Sequence, residues 1–392
     1  MKLHRPLAAA AAVILKNVFR EHKVLDHELA AAFEANPKWG KRDRGFIAET
    51  VFEIARWRRA LEFVAGSGQI RALCAAQWRR MGVPLADWWE HPGVSEDEMA
   101  RREFELDDQP RAVRESIPDW LDETGAAELG GDWDKELAAL NQRAPVFLRA
   151  NTLRGFRERA LAWLAAHEVV ATEVPGLPDA VVLAQGSILP KAMRVDGRVE
   201  IQDAGSQRIA PMLEAKPGEF VIDACSGAGG KTLHLAALME NEGRIHALDV
   251  NAAKLEQLKS RAKRAGVTMI RTAPILGDTV AGFAGKADAL LIDAPCSGLG
   301  TLRRQPDLKW RLKPGELDRL RAVQAELLGS YPAMLKPGGR LVYATCSLLR
   351  SENRKQVDAL LSRGGFTLEE EITVSPAKDG CDGFYAARLR KD

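Results

Sequence analysis

Cysteine is scarce in this chain, and its spacing argues against two kinds of scaffold. The 392 residues include five cysteines, an odd number that is widely spaced and contains no CxxC pair. Disulfide frameworks and structural zinc sites both depend on paired or closely spaced cysteines. We therefore predict a reducing, cytoplasmic setting and no metal centre.

Excess charge and long apolar runs are also lacking. The 56 basic and 54 acidic residues leave a formal net charge of +2 at pH 7, so any surface that binds nucleic acid must be a local patch. No apolar run approaches the length of a membrane span, and we predict no membrane partner. Residues 1–20 are basic and then apolar, but the run is short and Ala-rich and no clear cleavage site follows, which favours a helix over a signal peptide.

The first half of the chain predicts helices and then a small mixed unit. Apolar residues recur every three to five positions from Pro6 to about Trp89, which predicts an all-α domain over residues 1–140. A charged stretch near 94–116 has little periodicity and is interpreted as a linker or a loosely attached arm. Over residues 141–200, VFLRANTL, RERALAWLAAHEV and VVLAQGSILP predict strand, helix and strand.

Residues 201–392 alternate between strand and helix patterns. The predicted strands are EFVIDAC, RIHALDV, TMIRTAP, ADALLIDAP and GRLVYATCS. Such alternation predicts an α/β fold with a doubly wound, mostly parallel sheet. Two further strands, FTLEEEITV and GFYAARLRK, lack an intervening long helix and predict an antiparallel closing hairpin. Ligands of such sheets bind at the carboxyl ends of the strands.

The first strand–helix turn, DACSGAGGKT, is rich in glycine and predicts a ligand loop. A phosphate-binding P-loop would need glycine where Cys225 stands. The dinucleotide fingerprint fits Gly227 and Gly229 but meets Thr232 in place of its third glycine. Neither nucleotide motif is satisfied.

An acid at the end of the second predicted strand suggests a different ligand. Asp249 lies twenty residues after Gly229, where it can bind a ribose diol. An acidic residue that can bind a ribose, beside a loop with few phosphate-binding features, suits S-adenosylmethionine. This cofactor has a ribose and an adenine but no phosphate. Asp278, after the third strand, is placed to meet the adenine, although an exposed loop acid explains it equally well.

Two thiols end neighbouring strands of the predicted sheet. Cys296 follows the fourth strand, which ends in Asp293, and Cys346 ends the fifth. Thiols beside a methyl donor suggest methylation of carbon 5 of a pyrimidine, because a thiolate that adds to carbon 6 makes carbon 5 nucleophilic. A second thiol or a carboxylate can then assist proton removal. The alternative, a small buried hydrophobic residue, is preferred for Cys74 and Cys381; spacing alone does not decide which strand-end thiol attacks, and Cys296 is the first candidate.

The motifs resemble a known family. DACSGAGGKT, ALDVN, LIDAPCSGLGTLRRQPDLKW, LKPGGRLVYATCSLLRSEN and DGFYAARLRK are similar to the motifs of the Sun/Fmu-type RNA 5-methylcytosine methyltransferases, from about Pro145 to the end. The helical region more loosely resembles the NusB-like RNA-binding domain of the ribosomal members. The resemblance implies a class I S-adenosylmethionine-dependent methyltransferase with a Rossmann-like sheet, preceded by an all-α NusB-like domain and a small α+β subdomain.

The resemblance also implies roles for matching residues. Cys346 would attack carbon 6 of cytosine, Cys296 would assist breakdown of the adduct, and Asp293 would bind the cytosine edge near nitrogen 3, close to the cofactor. The implied cofactor-binding residues are Cys225, Ser226, Gly227, Ala228, Gly229, Gly230, Lys231, Asp249, Asp278 and Asp293. Proline is usual in the family where this chain has Ala228, so we expect a slightly looser loop.

The target base must leave its stack to reach these thiols, so the expected partner is single-stranded or loop RNA. Basic and aromatic residues after Cys296 could contact this RNA, or could equally be core and solvated side chains: Arg303, Arg304, Lys309, Trp310 and Arg311. Small-subunit ribosomal RNA is the favoured substrate of a monomeric enzyme. Transfer RNA, a DNA cytosine methyltransferase activity and a non-catalytic ribosome-assembly or antitermination factor are the alternatives.

Overall fold

The computed structural model describes residues 2–392. The chain forms two units: the described residues up to Gln142 together with Thr301–Glu316, and Arg143–Gly300 together with Leu317–Asp392. Among the described residues, no helix is long and apolar enough to cross a membrane.

The first unit is helical. Its core includes the buried indole of Trp78, which stacks on Phe46 with 6.0 Å between ring centroids and donates a 3.0 Å hydrogen bond to Thr50 Oγ1. The predicted helical character of this region is confirmed. The helices are Arg5–Glu21, Leu25–Ala35, Lys41–Arg56, Arg58–Ala65, Ile70–Arg80, Glu96–Phe104, Arg111–Arg114, Asp119–Leu129, Trp133–Leu140 and Leu308–Arg311.

The charged stretch 94–116 is not a linker, and that prediction is wrong. Helix Glu96–Phe104 begins after Ser95, whose hydroxyl accepts a hydrogen bond from the Glu98 amide. Met99 on this helix is fully buried. The other side chains are largely charged and pair along the helix, so a single buried apolar residue leaves no periodicity to detect.

Thr301–Glu316 packs inside the helical unit, although the sequence placed it in a domain over residues 201–392. Lys309 is 2% exposed and donates a 2.8 Å hydrogen bond to the Arg56 carbonyl. The Trp310 indole donates a 2.5 Å hydrogen bond to the Ala55 carbonyl. These side chains hold the segment in the unit. Because Lys309 is buried, the core alternative applies to it, whereas an RNA contact by the half-buried Trp310 stays a prediction.

The arginines of the same segment are also engaged in the unit. Arg311 forms a 2.8 Å ion pair with Asp307, and the Asp307 carboxylate accepts a 3.2 Å hydrogen bond from the Leu25 amide. Arg303 is buried, whereas Arg304 is half-buried. A basic cluster next to an aromatic residue can serve RNA binding or packing, and only the tertiary contacts distinguish the two.

A small antiparallel sheet opens the second unit. Its strands are β1 (Phe147–Ala150), β2 (Ala171–Glu173), β3 (Ala180–Leu183) and β4 (Val199–Ile201), in the order β2-β3-β1-β4. Helices Arg157–Ala165 and Lys191–Arg194 connect them. The predicted strand, helix and strand are confirmed, but β2 and β4 are additional, because three-residue strands are too short to show alternation.

The large sheet has seven strands in the order β10-β11-β9-β8-β5-β6-β7. Strands β5 to β9 are parallel, and β10 and β11 add antiparallel pairs at one edge. This confirms the predicted doubly wound sheet and its closing hairpin. The strands are β5 (Phe220–Asp223), β6 (Arg244–Asp249), β7 (Ile270–Pro274), β8 (Ala287–Asp293), β9 (Leu335–Thr345), β10 (Phe366–Val374) and β11 (Phe384–Lys391).

Both faces of the large sheet are covered. Successive residues of one strand enter opposite cores: Leu291 packs with Leu233 and Leu258, whereas Leu290 packs with Leu327. Buried parallel strands therefore have continuous apolar runs, which is why the sequence revealed them. The helices from residue 201 onward are Ala204–Gln207, Ile209–Met212, Gly230–Leu238, Ala252–Ala265, Thr279–Gly282, Pro314–Ser330, Arg354–Leu361 and Pro376–Asp379.

Candidate active site

The carboxyl ends of four parallel strands bring acids and thiols to one edge. Strands β5, β6 and β8 end in Asp223, Asp249 and Asp293, and Cys346 directly follows β9. The pairing register places Asp293 beside Ala344, two residues before Cys346. The sheet therefore gathers most of the predicted site residues in the crevice typical of this architecture.

A cavity of about 580 Å³ lies at this edge. The predicted cofactor residues that line it are Cys225, Ser226, Gly227, Ala228, Gly230, Lys231, Asp249 and Asp293. Sequence reasoning did not assign the other lining residues: Ser206, Asp223, Ala224, Val250, Lys254, Ile275, Pro295, Arg319, Val323, Leu327 and Tyr331. No cluster of three or more potential metal ligands occurs within residues 2–392.

Gly229 and Asp278 lie outside the lining of this cavity. Gly229 has φ +88°, and a Cβ there would come within 2.0 Å of the Leu258 side chain. Because Gly229 has no side chain, helix Ala252–Ala265 can approach the loop. Asp278 is an exposed residue immediately before helix Thr279–Gly282.

Asp249 holds the glycine loop from the end of β6. Its carboxylate accepts a 2.8 Å hydrogen bond from the Gly227 amide and a 2.7 Å bond from the Asn251 amide. Because each carboxylate oxygen can accept more than one hydrogen bond, Asp249 can also bind hydroxyls of a ligand in the cavity.

Asp223 supplies an unsatisfied acceptor to the cavity. It is fully buried, and its Oδ2 accepts a 2.6 Å hydrogen bond from Thr232 Oγ1. Its Oδ1 has no hydrogen-bond partner in the described part of the chain. Burial, with repulsion from Asp293, raises the Asp223 pKa to about 7, although Thr232 and Lys231 lower it. A cationic donor would satisfy Oδ1, so the cavity fits S-adenosylmethionine, whose amino acid end carries an ammonium group.

Two arginines, the half-buried Arg261 and the buried Arg149, hold the loop around Ala228. Arg261 donates a 2.7 Å hydrogen bond to the Ala228 carbonyl and pairs with Glu200 at 2.7 Å. Arg149 donates a 3.0 Å bond to the Gly230 carbonyl. The loop therefore has anchors on both sides of Gly229.

Lys231 and Asp293 form an ion pair of 2.6 Å at the floor of the cavity. Burial lowers the Lys231 pKa, but Asp293 outweighs burial and the net pKa is raised, with a further contribution from the Cys346 sulfur. Lys231 is thus a half-buried cation between the cofactor loop and the thiols.

The Cys296 and Cys346 sulfurs lie 3.4 Å apart, and both thiols are free. The hydrogen bond with Cys346, followed by burial and by nearby negative charge, raises the Cys296 pKa well above its usual value. Cys74 and Cys381 are buried, as their preferred interpretation predicted.

The tight turn after Cys296 depends on glycine. Gly298 has φ +71°, and the Gly300 amide donates a 2.9 Å hydrogen bond to the Cys346 carbonyl. A Cβ on Gly300 would come within 2.1 Å of the Gly383 carbonyl oxygen. The turn joins the two cysteine segments through their backbones.

A buried acid behind the thiols was missed from sequence. Glu352 is fully buried and accepts hydrogen bonds from the Ser297 amide at 2.8 Å and from Gln324 Nε2 at 3.0 Å. The hydroxyls of Ser297 and Ser347 also donate to it. Glu352 lies in the quoted motif that ends SEN, but a charged residue in a polar loop is typically exposed.

Comparisons with known proteins agree with this geometry. A family described as 16S rRNA methyltransferase RsmB/F matches residues 210–390, and an RsmF/B-like ferredoxin-like domain matches residues 117–189. The ribosomal RNA small subunit methyltransferase B of Xanthomonas campestris pv. campestris is 32% identical over 429 residues, covering 97% of this chain and 96% of the relative. The chain belongs to the 16S rRNA methyltransferase RsmB/F family.

This RsmB/F-family protein is therefore an S-adenosylmethionine-dependent RNA methyltransferase. Solved structures agree on the fold. The crystal structure of PH0851 covers all of this chain and is itself fully covered, with a TM-score of 0.82 and 24% identity. NSun6 from Pyrococcus horikoshii, solved with the S-adenosylmethionine analogue SFG, covers 71% of this chain and is 99% covered, with a TM-score of 0.65 and 23% identity.

Proposed function

We propose that this enzyme methylates carbon 5 of a cytosine in small-subunit ribosomal RNA through a covalent adduct with Cys346. The observation that carries the proposal is the pair of thiols, 3.4 Å apart, beside the Lys231–Asp293 ion pair at the edge of the cofactor cavity. Carbon 5 needs activation by a nucleophile, and a second thiol nearby can complete the reaction. The substrate follows the names of the relatives, which are ribosomal RNA small subunit methyltransferases.

Cofactor binding is assigned to the cavity at the sheet edge. Asp249 would accept hydrogen bonds from the ribose, and Asp223 Oδ1 would accept one from the ammonium group. The loop Cys225–Lys231 would enclose the amino acid end. When bound, S-adenosylmethionine supplies an electrophilic methyl group.

Cys346 begins the reaction as a thiolate. Its sulfur would form a bond to carbon 6 of cytosine. The electron pair of the carbon 5–carbon 6 double bond would form the new bond from carbon 5 to the methyl carbon, and the bond from that carbon to the sulfonium sulfur would break with its electrons left on that sulfur. Cys296, once its own proton has passed to solvent, would then remove the proton from carbon 5. The electrons of that C–H bond restore the double bond, the bond from carbon 6 to Cys346 breaks, and Cys346 is again a thiolate.

Asp293 is proposed to orient the base. Its Oδ2 accepts a 2.6 Å hydrogen bond from Lys231, and Oδ1 is the second oxygen that can accept hydrogen bonds. An anionic oxygen suits the exocyclic amino group of cytosine, a donor beside nitrogen 3. Lys231 pairs with this carboxylate and adds positive charge near the attacking sulfur.

A basic surface on the small sheet supports an RNA substrate. Arg154, Arg159 and Arg198 line a cavity of about 160 Å³ with the indole of Trp163. The Arg198 guanidinium lies 5.1 Å from the Trp163 ring centroid. Guanidinium groups beside an indole are suited to phosphates and unstacked bases. The NusB-like character of the helical unit, the monomeric state and the cytoplasmic location remain predictions.

The decisive experiment is methyl transfer from labelled S-adenosylmethionine to separated ribosomal and transfer RNA, followed by bisulfite mapping. We expect 5-methylcytosine in small-subunit ribosomal RNA. Label in transfer RNA alone would establish the alternative substrate. Absence of 5-methylcytosine from every RNA class would overturn the proposal.

A further inference from the structure

Glu352 joins the two segments that carry the active-site thiols. Its Oε2 accepts hydrogen bonds from the hydroxyls of Ser297 and Ser347, which are themselves 3.1 Å apart. Ser297 directly follows Cys296, and Ser347 directly follows Cys346. One carboxylate thus bridges the residues next to both thiols.

This carboxylate is buried and held by hydrogen bonds. Glu352 is 0% exposed, and the Ser297 amide, Gln324 and two serine hydroxyls donate to it. Burying a charge is costly unless hydrogen bonds satisfy it, and Glu352 has donors on both oxygens. Because these hydrogen bonds satisfy a buried charge, a displacement of the Glu352 carboxylate or of its donors would be costly.

The surrounding contacts restrict Glu352 and both segments. Tyr343 on β9 donates a 2.6 Å hydrogen bond to the Glu352 carbonyl. Gln324 Nε2 bridges Glu352 and the carbonyl of Pro295, the residue before Cys296. The network therefore reaches both sides of Cys296 and the end of the strand that presents Cys346.

We propose that Glu352 is a positioning residue for the methyl transfer, which holds the two cysteine segments so that both thiols face one cytosine ring. The inference rests on the proposed function. One thiol must add to carbon 6, and the other must reach the proton on carbon 5. The two thiols therefore need a defined separation, because small displacements of reacting groups cost large factors in rate.

The position of the carboxylate also distinguishes the two thiols. Cys296 has the Glu352 carboxylate nearby, and this charge adds to the effects of Cys346 and burial in raising the Cys296 pKa. Cys346 instead has the Lys231 cation nearby. The acid therefore favours a protonated Cys296 until the adduct has formed.

The test is Glu352→Gln in the full-length enzyme, with Glu326→Gln, an exposed acid on helix Pro314–Ser330, as the matched control. We expect kcat to fall roughly 100-fold. The dissociation constant for S-adenosylmethionine and the KM for RNA should change little, since Glu352 does not line the cofactor cavity. Alkylation by iodoacetamide, followed by mass spectrometry, should show Cys296 reacting faster relative to Cys346 than in the wild type.

A kcat equal to that of the control would overturn the proposal. A loss of affinity for S-adenosylmethionine as large as the loss of kcat would also overturn it. If Glu352→Gln does not fold, the double variant Ser297→Ala with Ser347→Ala removes the same bridge and keeps the carboxylate; it should lower kcat with unchanged cofactor affinity. The proposed function is judged separately, because it fails only if the wild-type enzyme makes no 5-methylcytosine.

Discussion

Cys296 and Cys346 are separated by fifty residues in the chain, yet their sulfur atoms lie 3.4 Å apart. Parallel pairing of β8 with β9 brings the strand ends together, and the hydrogen bond from the Gly300 amide to the Cys346 carbonyl holds the following turn. Either sulfur can therefore reach the same ring, and the difference between them lies in their neighbours: Lys231 for Cys346 and Glu352 for Cys296.

Removal of one thiol at a time should separate attack from release. Cys296→Ala is expected to accumulate a protein–RNA adduct that survives denaturation, because attack by Cys346 proceeds and elimination is slow. Cys346→Ala should form no adduct. Gel mobility after denaturation measures adduct formation in both variants. Cys74→Ala, at a buried cysteine of the helical unit, is the control. The reverse pattern would exchange the two roles.

Cofactor affinity should depend on the ionisation of Asp223. Its pKa of about 7 means that the carboxyl is largely protonated below that pH and ionised above it. Only the ionised form accepts well from an ammonium group, so affinity for S-adenosylmethionine should rise by up to about tenfold between roughly pH 6 and pH 8. Asp223→Asn should bind weakly and without this dependence, as measured by calorimetry.

The control for this series is Asp278→Asn. Asp278 is exposed and does not line the cavity, so its loss should leave the pH dependence unchanged. A clear loss of affinity in this variant would instead support the role that the family resemblance implied for Asp278.

Gly300→Ala should disrupt the turn that presents Cys296. The added Cβ would meet the Gly383 carbonyl oxygen at 2.1 Å, a contact that requires backbone movement. We expect a loss of about 1–3 kcal/mol in the free energy of unfolding, together with lower activity. Denaturant unfolding measures the free energy of unfolding. The control is Gly315→Ala, where a Cβ would meet open space, and this variant should be close to wild type.

Lys309 should make stability depend on pH above neutrality. Burial, then Arg56, lowers its pKa from 10.5 to about 7, so between these values the unfolded chain binds a proton that the folded protein does not. The free energy of unfolding should therefore rise with pH across this window, by up to about 1.4 kcal/mol per unit.

The control for Lys309 is Lys309→Met, which removes the titrating amine and keeps an unbranched chain. The difference in unfolding free energy between wild type and variant isolates Lys309 from other titrating groups. It should shift in favour of the wild type as pH rises from about 7 towards 10.5. A difference independent of pH would mean that Lys309 is charged throughout in the folded protein.

Several fold features could be predicted because their signals are local. The buried strands of the large sheet have apolar runs such as Ala289–Ile292, and Asp293 follows directly. The two three-residue strands β2 and β4 could not be recognised, since alternation needs more residues. The helix Glu96–Phe104 was missed because its one fully buried residue, Met99, leaves no pattern.

The site was predicted only where motifs or strand ends specified it. The cofactor loop and the two thiols belong to long motifs, whereas Asp223, Arg261 and Glu352 were assigned no role. Their importance depends on burial and on partners such as Ser297 and Ala228 that are distant in sequence. A polar residue in a loop has the same local pattern whether it is solvated or buried.

The sequence by itself determined that acids and thiols follow successive strands, because apolar runs specify the strands and parallel pairing aligns their carboxyl ends. Only the tertiary structure decided which of these groups meet: Lys231 with Asp293, Cys296 with Cys346, and Glu352 with both serines. It also turned Lys309 from a candidate RNA contact into a buried anchor. The reason is physical, since hydrogen bonds and burial between residues fifty or more positions apart depend on packing that no local pattern encodes.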